Sequence, residues 1–137
     1  MYPEEMVAPM RADLSNAGFQ ELKTANDVNE VLSSKEGTTL VVVNSVCGCA
    51  AGNARPGAKL AVEGGKKPSR LTTVFAGVDA EATQTARQFM MPFPPSSPSI
   101  ALFKEGILVH FIERHHIEGS TAEMVAENLK AAFDTHC

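Results

Sequence analysis

The sequence has no tryptophan, only three cysteines, and no run near the roughly 18 consecutive apolar residues that a membrane-spanning helix needs. No membrane partner is therefore expected. It also lacks a basic stripe: 12 Lys and Arg face 16 Asp and Glu, for a formal charge of −4. Nucleic-acid binding rests on neutralising phosphates with clustered cations, so no nucleic-acid partner is expected either. The densest basic stretch, Gly64 to Arg70, reads as a solvated loop rather than an anion site. Met1 to Glu5 carry no positive charge, and no apolar segment follows them, so nothing resembles a signal peptide. The chain is expected to stay in the cytoplasm, where thiols are kept reduced. An odd number of cysteines does not build a structural disulfide framework. In that compartment, two closely spaced cysteines point to catalysis or metal binding.

What is present suits one α/β domain over residues 1–137, long enough to bury its own core at 44% hydrophobic and 20% charged residues. Glu4 to Ala17 places Met6, Met10, Leu14 and Ala17 on one helical face, with Pro9 a kink or a first-turn residue and Gly18 a stop. Phe19 to Lys23 suggests a short strand. Thr24, with Asp27 three residues on, caps a helix carrying Val28, Val31 and Leu32, which Gly37 ends. Thr38 to Val46 is nearly all Thr, Leu and Val, the composition of a central strand covered on both faces. A helical stretch from Cys49 to Val62 is interrupted by Gly52, Pro56 and Gly57. Leu71 to Val78 is a second buried strand, and Asp79 caps a helix through Met90 that turns Ala82, Ala86 and Phe89 inward. The proline-dense Met91 to Pro98 is a turn. Ser99 to Phe103 and Ile107 to Ile112 form a hairpin around Lys104-Glu105-Gly106. Ser120 to Glu123 reads as a capping box for a last helix that buries Val125, Leu129, Ala132 and Phe133. The order is βαβαββα after an N-terminal helical extension, giving a mixed sheet flanked by helices.

Cys47-Gly48-Cys49 lies where the buried strand meets the helix. Pro98 follows a turn and directly precedes a strand, and Phe103-Lys104-Glu105-Gly106 forms the hairpin. This combination resembles the thioredoxin fold, with Cys-Gly-Cys in place of Cys-x-x-Cys and no Trp before it. The segments Tyr2 to Val7, Ser45 to Gly52, Ala54 to Gly57 and Arg114 to Gly119 resemble the bacilliredoxin family across essentially the whole chain. The resemblance implies a thiol–disulfide oxidoreductase that removes bacillithiol, or a similar small thiol, from mixed disulfides on cytoplasmic proteins, with weak disulfide isomerase behaviour. Such a protein has bacillithiolated or oxidised client proteins as partners, a low-molecular-weight thiol as co-substrate and no bound cofactor. The resemblance also implies a cis Pro98 facing the cysteines, with Ser97 before it offering backbone hydrogen bonds to an extended substrate.

Cys47 lies just before the expected helix, where free N–H groups and the macrodipole favour an anion, and it is the expected nucleophile. Cys49 is the expected resolving thiol. Gly48, without a Cβ, gives the backbone the freedom a two-cysteine ring needs. Arg55 could steady the thiolate or meet the small thiol's carboxylates, but as a charged residue on a helix it is first read as a surface residue. Zinc held by Cys47 and Cys49 with His115, His116, His136 or Cys137 is a competing reading. One residue between paired cysteines is fewer than structural zinc sites use, so no metal is expected. A non-enzymatic redox-sensing module is the other alternative.

Overall fold

The computed structural model describes residues 2–137. The chain opens with α1 (Glu4–Ser15), β1 (Gln20–Glu21), α2 (Ala25–Leu32) and β2 (Thr38–Asn44). A π-helical turn at Ala50–Ala54 then runs into α3 (Arg55–Val62), followed by β3 (Arg70–Phe75) and α4 (Ala80–Phe89). The hairpin β4 (Ser99–Lys104) and β5 (Ile107–Ile112) leads to a short α5 (Arg114–Glu118) and to α6 (Ala122–His136).

β2 is the middle of the sheet, and every one of its residues is buried. The strand order is β1-β3-β2-β4-β5. β3 runs parallel to both β1 and β2, while β4 runs antiparallel to β2 and β5 antiparallel to β4. Because strand side chains alternate, Leu40 and Val42 enter one core with Ala58, Val125, Leu129 and Phe133 of α3 and α6. Val41 and Val43 enter the other, against Val28 and Leu32 of α2 and Ala82 and Ala86 of α4. The expected strand at residues 38–46 thus ends slightly early, at Asn44, and its last residues become the approach to the cysteines.

Local chemistry explains the better-placed boundaries. Thr24 Oγ1 accepts the Asp27 N–H, and the Asp27 carboxylate accepts the Lys23 N–H, each at 3.1 Å. Glu105 (φ 54°) and Gly106 (φ 83°) both lie in the left-handed region that a two-residue hairpin turn of this hand requires.

Several expectations shift. The buried face of α1 is Val7, Arg11 and Leu14, while Met6 is exposed. Arg11 can turn inward because the carboxylates of Glu4, Glu21 and Asp79 surround it. Asp79 is spent on that pairing and makes no side-chain cap for α4. α2 ends at Leu32 rather than Gly37, which at φ 70° instead opens β2. The cap of α6 is Thr121, whose Oγ1 accepts the Met124 N–H at 3.1 Å. Ser120, the expected cap, instead donates its hydroxyl to the His116 carbonyl at 2.7 Å. Gly57 marks the tightest approach of α3 to α6: a Cβ there would lie 2.6 Å from Val125 Cγ1.

Candidate active site

β2 delivers the chain to Asn44 and Ser45, whose side chains shape the next turn. Asn44 Oδ1 accepts the Ser45 N–H at 2.9 Å, and Ser45 Oγ accepts the Cys47 N–H at 3.1 Å. The helical run begins at Gly48, directly after Cys47. The Cys47 carbonyl takes the Ala50 and Ala51 N–H groups at 3.0 and 3.3 Å. Cys47 and Cys49 are not joined as a disulfide; they are half-buried and in direct contact, with their sulfurs 2.7 Å apart. Gly48 between them is exposed, and a Cβ at that position would meet nothing within 4 Å.

Two later segments close over the thiols. The Ser97–Pro98 bond is cis and Pro98 is buried immediately before β4; Met91–Pro92 is also cis. From the first residue of α5, Arg114 donates Nη2 to Cys47 Sγ at 3.2 Å and Nη1 to the Ser97 carbonyl at 3.1 Å. Its Nε is held by the Glu118 carboxylate one turn on. One exposed guanidinium therefore bridges Cys47 and the carbonyl that precedes Pro98.

These surroundings separate the two thiols. The Cys49 thiol hydrogen-bonds the Cys47 sulfur and, with the Cys49 N–H, pulls the Cys47 pKa down. The Arg114 charge and the Ala50 N–H lower it further, against a partial burial that acts the other way. Burial pushes the Cys49 thiol up, and the hydrogen bond and charge of Cys47 push it further. The arrangement favours a thiolate on Cys47 and a proton on Cys49, which is the state from which thiol–disulfide exchange begins.

Arg55 differs from the surface residue expected for that helix: it is only 5% exposed. Its Nε pairs with Asp13 at 3.0 Å, and its Nη1 donates to Asn44 Oδ1 at 2.8 Å and to the Ser45 carbonyl at 3.1 Å. Its hydrogen bonds are to the strand end beneath the thiols, not to the thiols themselves. Lys59 completes the cluster on Asp13 at 2.5 Å. Glu113, His115 and His116 have ligand atoms within 4.8 Å of one another, but neither active-site cysteine joins them. Cys137 is exposed at the end of α6.

Arg114 and Arg87 were not singled out by residue-type reasoning. Arg114 stood inside the family-like segment Arg114 to Gly119, and that was its one sequence signal. Nothing in α4 distinguishes Arg87 from a solvated helix residue, yet it lines a cavity of ≈ 410 Å³ with Cys47, Ser97, Arg114 and Tyr2.

Paired thiols at a strand-to-helix junction, tied through Arg114 to the carbonyl before a cis-proline on a mixed five-stranded sheet, define a thioredoxin-like member of the thiol–disulfide oxidoreductases. Solved structures agree on the fold. A Malassezia sympodialis thioredoxin superposes with a TM-score of 0.56 at 16% identity, covering 87% of this chain and 90% of that one. Mitochondrial thioredoxin 3 from Saccharomyces cerevisiae, in its oxidised form, gives 0.58 at 13% identity, covering 90% and 98%. Sequence comparison is more specific. The family described as Disulphide isomerase matches residues 2–137. A bacilliredoxin from Cytophaga hutchinsonii is 59% identical over 134 residues, 98% of each chain. A bacilliredoxin from Bacillus cereus is 53% identical over 137 residues, 99% of this chain and 95% of the relative. The chain belongs to the bacilliredoxin family.

Proposed function

We propose that the protein removes a low-molecular-weight thiol, bacillithiol or one of similar chemistry, from mixed disulfides on cytoplasmic proteins. The observation that carries this reading is the placement of Cys47: its sulfur lies 2.7 Å from Cys49 Sγ and accepts from Arg114 Nη2 at 3.2 Å, and the same guanidinium holds the Ser97 carbonyl before the cis-proline. The Cys47 thiolate attacks the small-thiol sulfur of the mixed disulfide. A new S–S bond forms to Cys47, the old one breaks, and the client leaves as a thiolate that takes up a proton. Cys49, 2.7 Å away, then attacks Cys47 Sγ, releases the small thiol and closes a disulfide between the two cysteines. A second small thiol can replace Cys49 in that step. Neither exchange changes the total number of thiols and disulfides.

The same dithiol supports weak disulfide isomerase activity, since a mixed disulfide with Cys47 can be resolved by a client cysteine as well as by Cys49. No helix among the described residues is long and apolar enough to cross a membrane. The name shared by the relatives supports bacillithiol as the thiol.

Mass spectrometry after challenge with a small-thiol disulfide tests the assignment. Cys49→Ser is expected to hold the adduct on Cys47, and Cys47→Ser to hold none and to lose turnover on a thiolated client protein. An adduct found on Cys49 alone would reverse the roles. An intact protein that takes up the thiol but never releases a client would favour redox sensing over catalysis.

A further inference from the structure

The cavity beside Cys47 contains a cation without a counter-ion. Arg87, from α4, donates one long hydrogen bond, Nη2 to the Ser96 carbonyl at 3.4 Å. Its Nε is buried and meets no hydrogen-bond partner. Burial lowers its pKa, and no neighbour acts in the other direction. The other arginines around the site are compensated: Arg55 by Asp13, Arg114 by Glu118 and Arg11 by three carboxylates. Among the described residues no carboxylate lies within salt-bridge distance of Arg87. A half-buried guanidinium with an idle donor is unfavourable unless something supplies the missing acceptor.

Arg87 also borders a second hollow, of ≈ 710 Å³, whose wall includes Ala80, Met91, Pro92 and Phe93. That hollow does not reach a cysteine. The cavity of ≈ 410 Å³ does, and it carries Arg114 and the Tyr2 ring as well. Its size falls within the range of small-molecule sites. A molecule disulfide-bonded to Cys47 and lying in this cavity would pass Arg114 and Arg87, and these two cations select for acid groups.

We propose that this cavity holds the acidic end of the small thiol, with Arg87 as its principal counter-ion and Arg114 as the second. The proposal rests on the exchange reading above and adds Arg87 as the residue that reads the charge of the small thiol. The thiol sulfur joins Cys47 while its carboxylate accepts from the guanidinium of Arg87 on the cavity wall. The charge-assisted bond is present in the mixed disulfide and lost when Cys49 expels the thiol.

The test uses the Cys49→Ser protein, which retains the Cys47 adduct, and two symmetric disulfides as probes. One is the disulfide of mercaptosuccinate, which is rich in carboxylates; the other is that of 2-mercaptoethanol, which is uncharged. Rates of adduct formation on Cys47 are followed by intact-protein mass. Arg87→Gln is expected to lower the mercaptosuccinate rate roughly tenfold while moving the mercaptoethanol rate less than about twofold. Arg87→Lys is expected to restore part of the loss. In the Arg87 protein, added salt should slow the mercaptosuccinate reaction and leave the mercaptoethanol reaction unchanged. Equal losses with both probes, no loss with either, or no salt dependence in the Arg87 protein overturns the proposal. If neither probe reaches Cys47, the exchange reading itself fails. If both reach it without any charge preference, only the acidic-thiol proposal fails.

Discussion

Arg114 reaches across 67 residues of sequence to place Nη2 3.2 Å from Cys47 Sγ. The same guanidinium occupies the Ser97 carbonyl at 3.1 Å, so the backbone before Pro98 and the Cys47 sulfur share one donor group. Glu118 holds the third side of the fork and fixes its orientation. The cation acts on a sulfur that already has the Cys49 thiol and two N–H groups beside it, so it is one contributor to the thiolate rather than its sole cause.

Replacing Arg114 by Gln is therefore expected to raise the Cys47 pKa. Alkylation with uncharged iodoacetamide, measured against pH, should show its midpoint displaced upward and its rate at pH 7 reduced several-fold. The rates of the two proteins should converge well above the ordinary thiol pKa of about 8.5, where both sulfurs are ionised. An unchanged pH profile would remove Arg114 from the machinery and leave it a helix-terminal ion pair.

The split thiols also make stability depend on pH. Cys47 has its folded pKa depressed, so its contribution is present above the unfolded thiol pKa and lost as pH falls through the folded value. Cys49 has its folded pKa raised, so its contribution is present below the unfolded thiol pKa and lost as pH rises through the folded value. The stabilisation from the pair is thus expected to peak near the unfolded thiol pKa, about 8.5. Urea denaturation of the reduced protein and of Cys47→Ser, compared at a series of pH values, checks this. The difference between them should grow from pH 6 toward the peak; a flat difference would contradict the depressed Cys47 value.

Beneath the thiols, Asp13 is the counter-ion of buried Arg55. Burial works to raise the Asp13 pKa, but Lys59 and then Arg55 outweigh it and hold the carboxyl below its usual range. Asp13→Asn leaves Arg55 in place without its charge partner, and about 1–3 kcal/mol of stability is expected to be lost at pH 7. A carboxyl with a depressed pKa contributes above its unfolded value, about 3.9, and the contribution disappears as pH falls through the folded value. The gap between the two proteins should accordingly close in acid. A gap that persisted there would assign the effect to lost packing instead of charge.

These arginines show what a linear sequence carries and what it does not. The Val-rich β2, the Thr24 cap and the Glu105-Gly106 turn are local: each depends on neighbours within a few residues, and each was legible. The position of the thiols at the strand end was legible for the same reason. Arg11 and Arg55 were not, because burial of a guanidinium depends on carboxylates contributed from elsewhere: Asp79 for the first, Asp13 for the second. A periodicity count treats both as solvent-facing. The error at α6 was smaller in scale, since Ser120 and Thr121 are equally good caps by type and the His116 carbonyl claims the Ser120 hydroxyl. Arg87 had no sequence signal at all; only its idle buried Nε and its place on the wall of the cavity beside Cys47 distinguish it.

Two glycines in the helical run after β2 should respond in opposite ways to the same substitution. At Gly57 a Cβ would press to 2.6 and 2.7 Å from Val125 side-chain atoms and 3.0 Å from the Ala122 carbonyl. Gly57→Ala therefore forces α3 away from α6 and is expected to cost about 1–3 kcal/mol. At Gly48 the added methyl meets nothing within 4 Å, and the backbone is not in the left-handed region. Gly48→Ala should leave the reduced protein as stable as before, or more stable by up to about 1 kcal/mol through helix propensity. Its effect should fall on ring closure instead. Joining Cys47 to Cys49 across one residue requires backbone shapes that glycine reaches more readily than alanine. The adduct on Cys47 is thus expected to form at the usual rate in Gly48→Ala and to persist longer before Cys49 displaces it. Denaturation curves of the reduced proteins and the lifetime of the adduct by mass spectrometry separate the two effects. If the adduct lifetime did not change, the glycine between the cysteines would have no part in resolution.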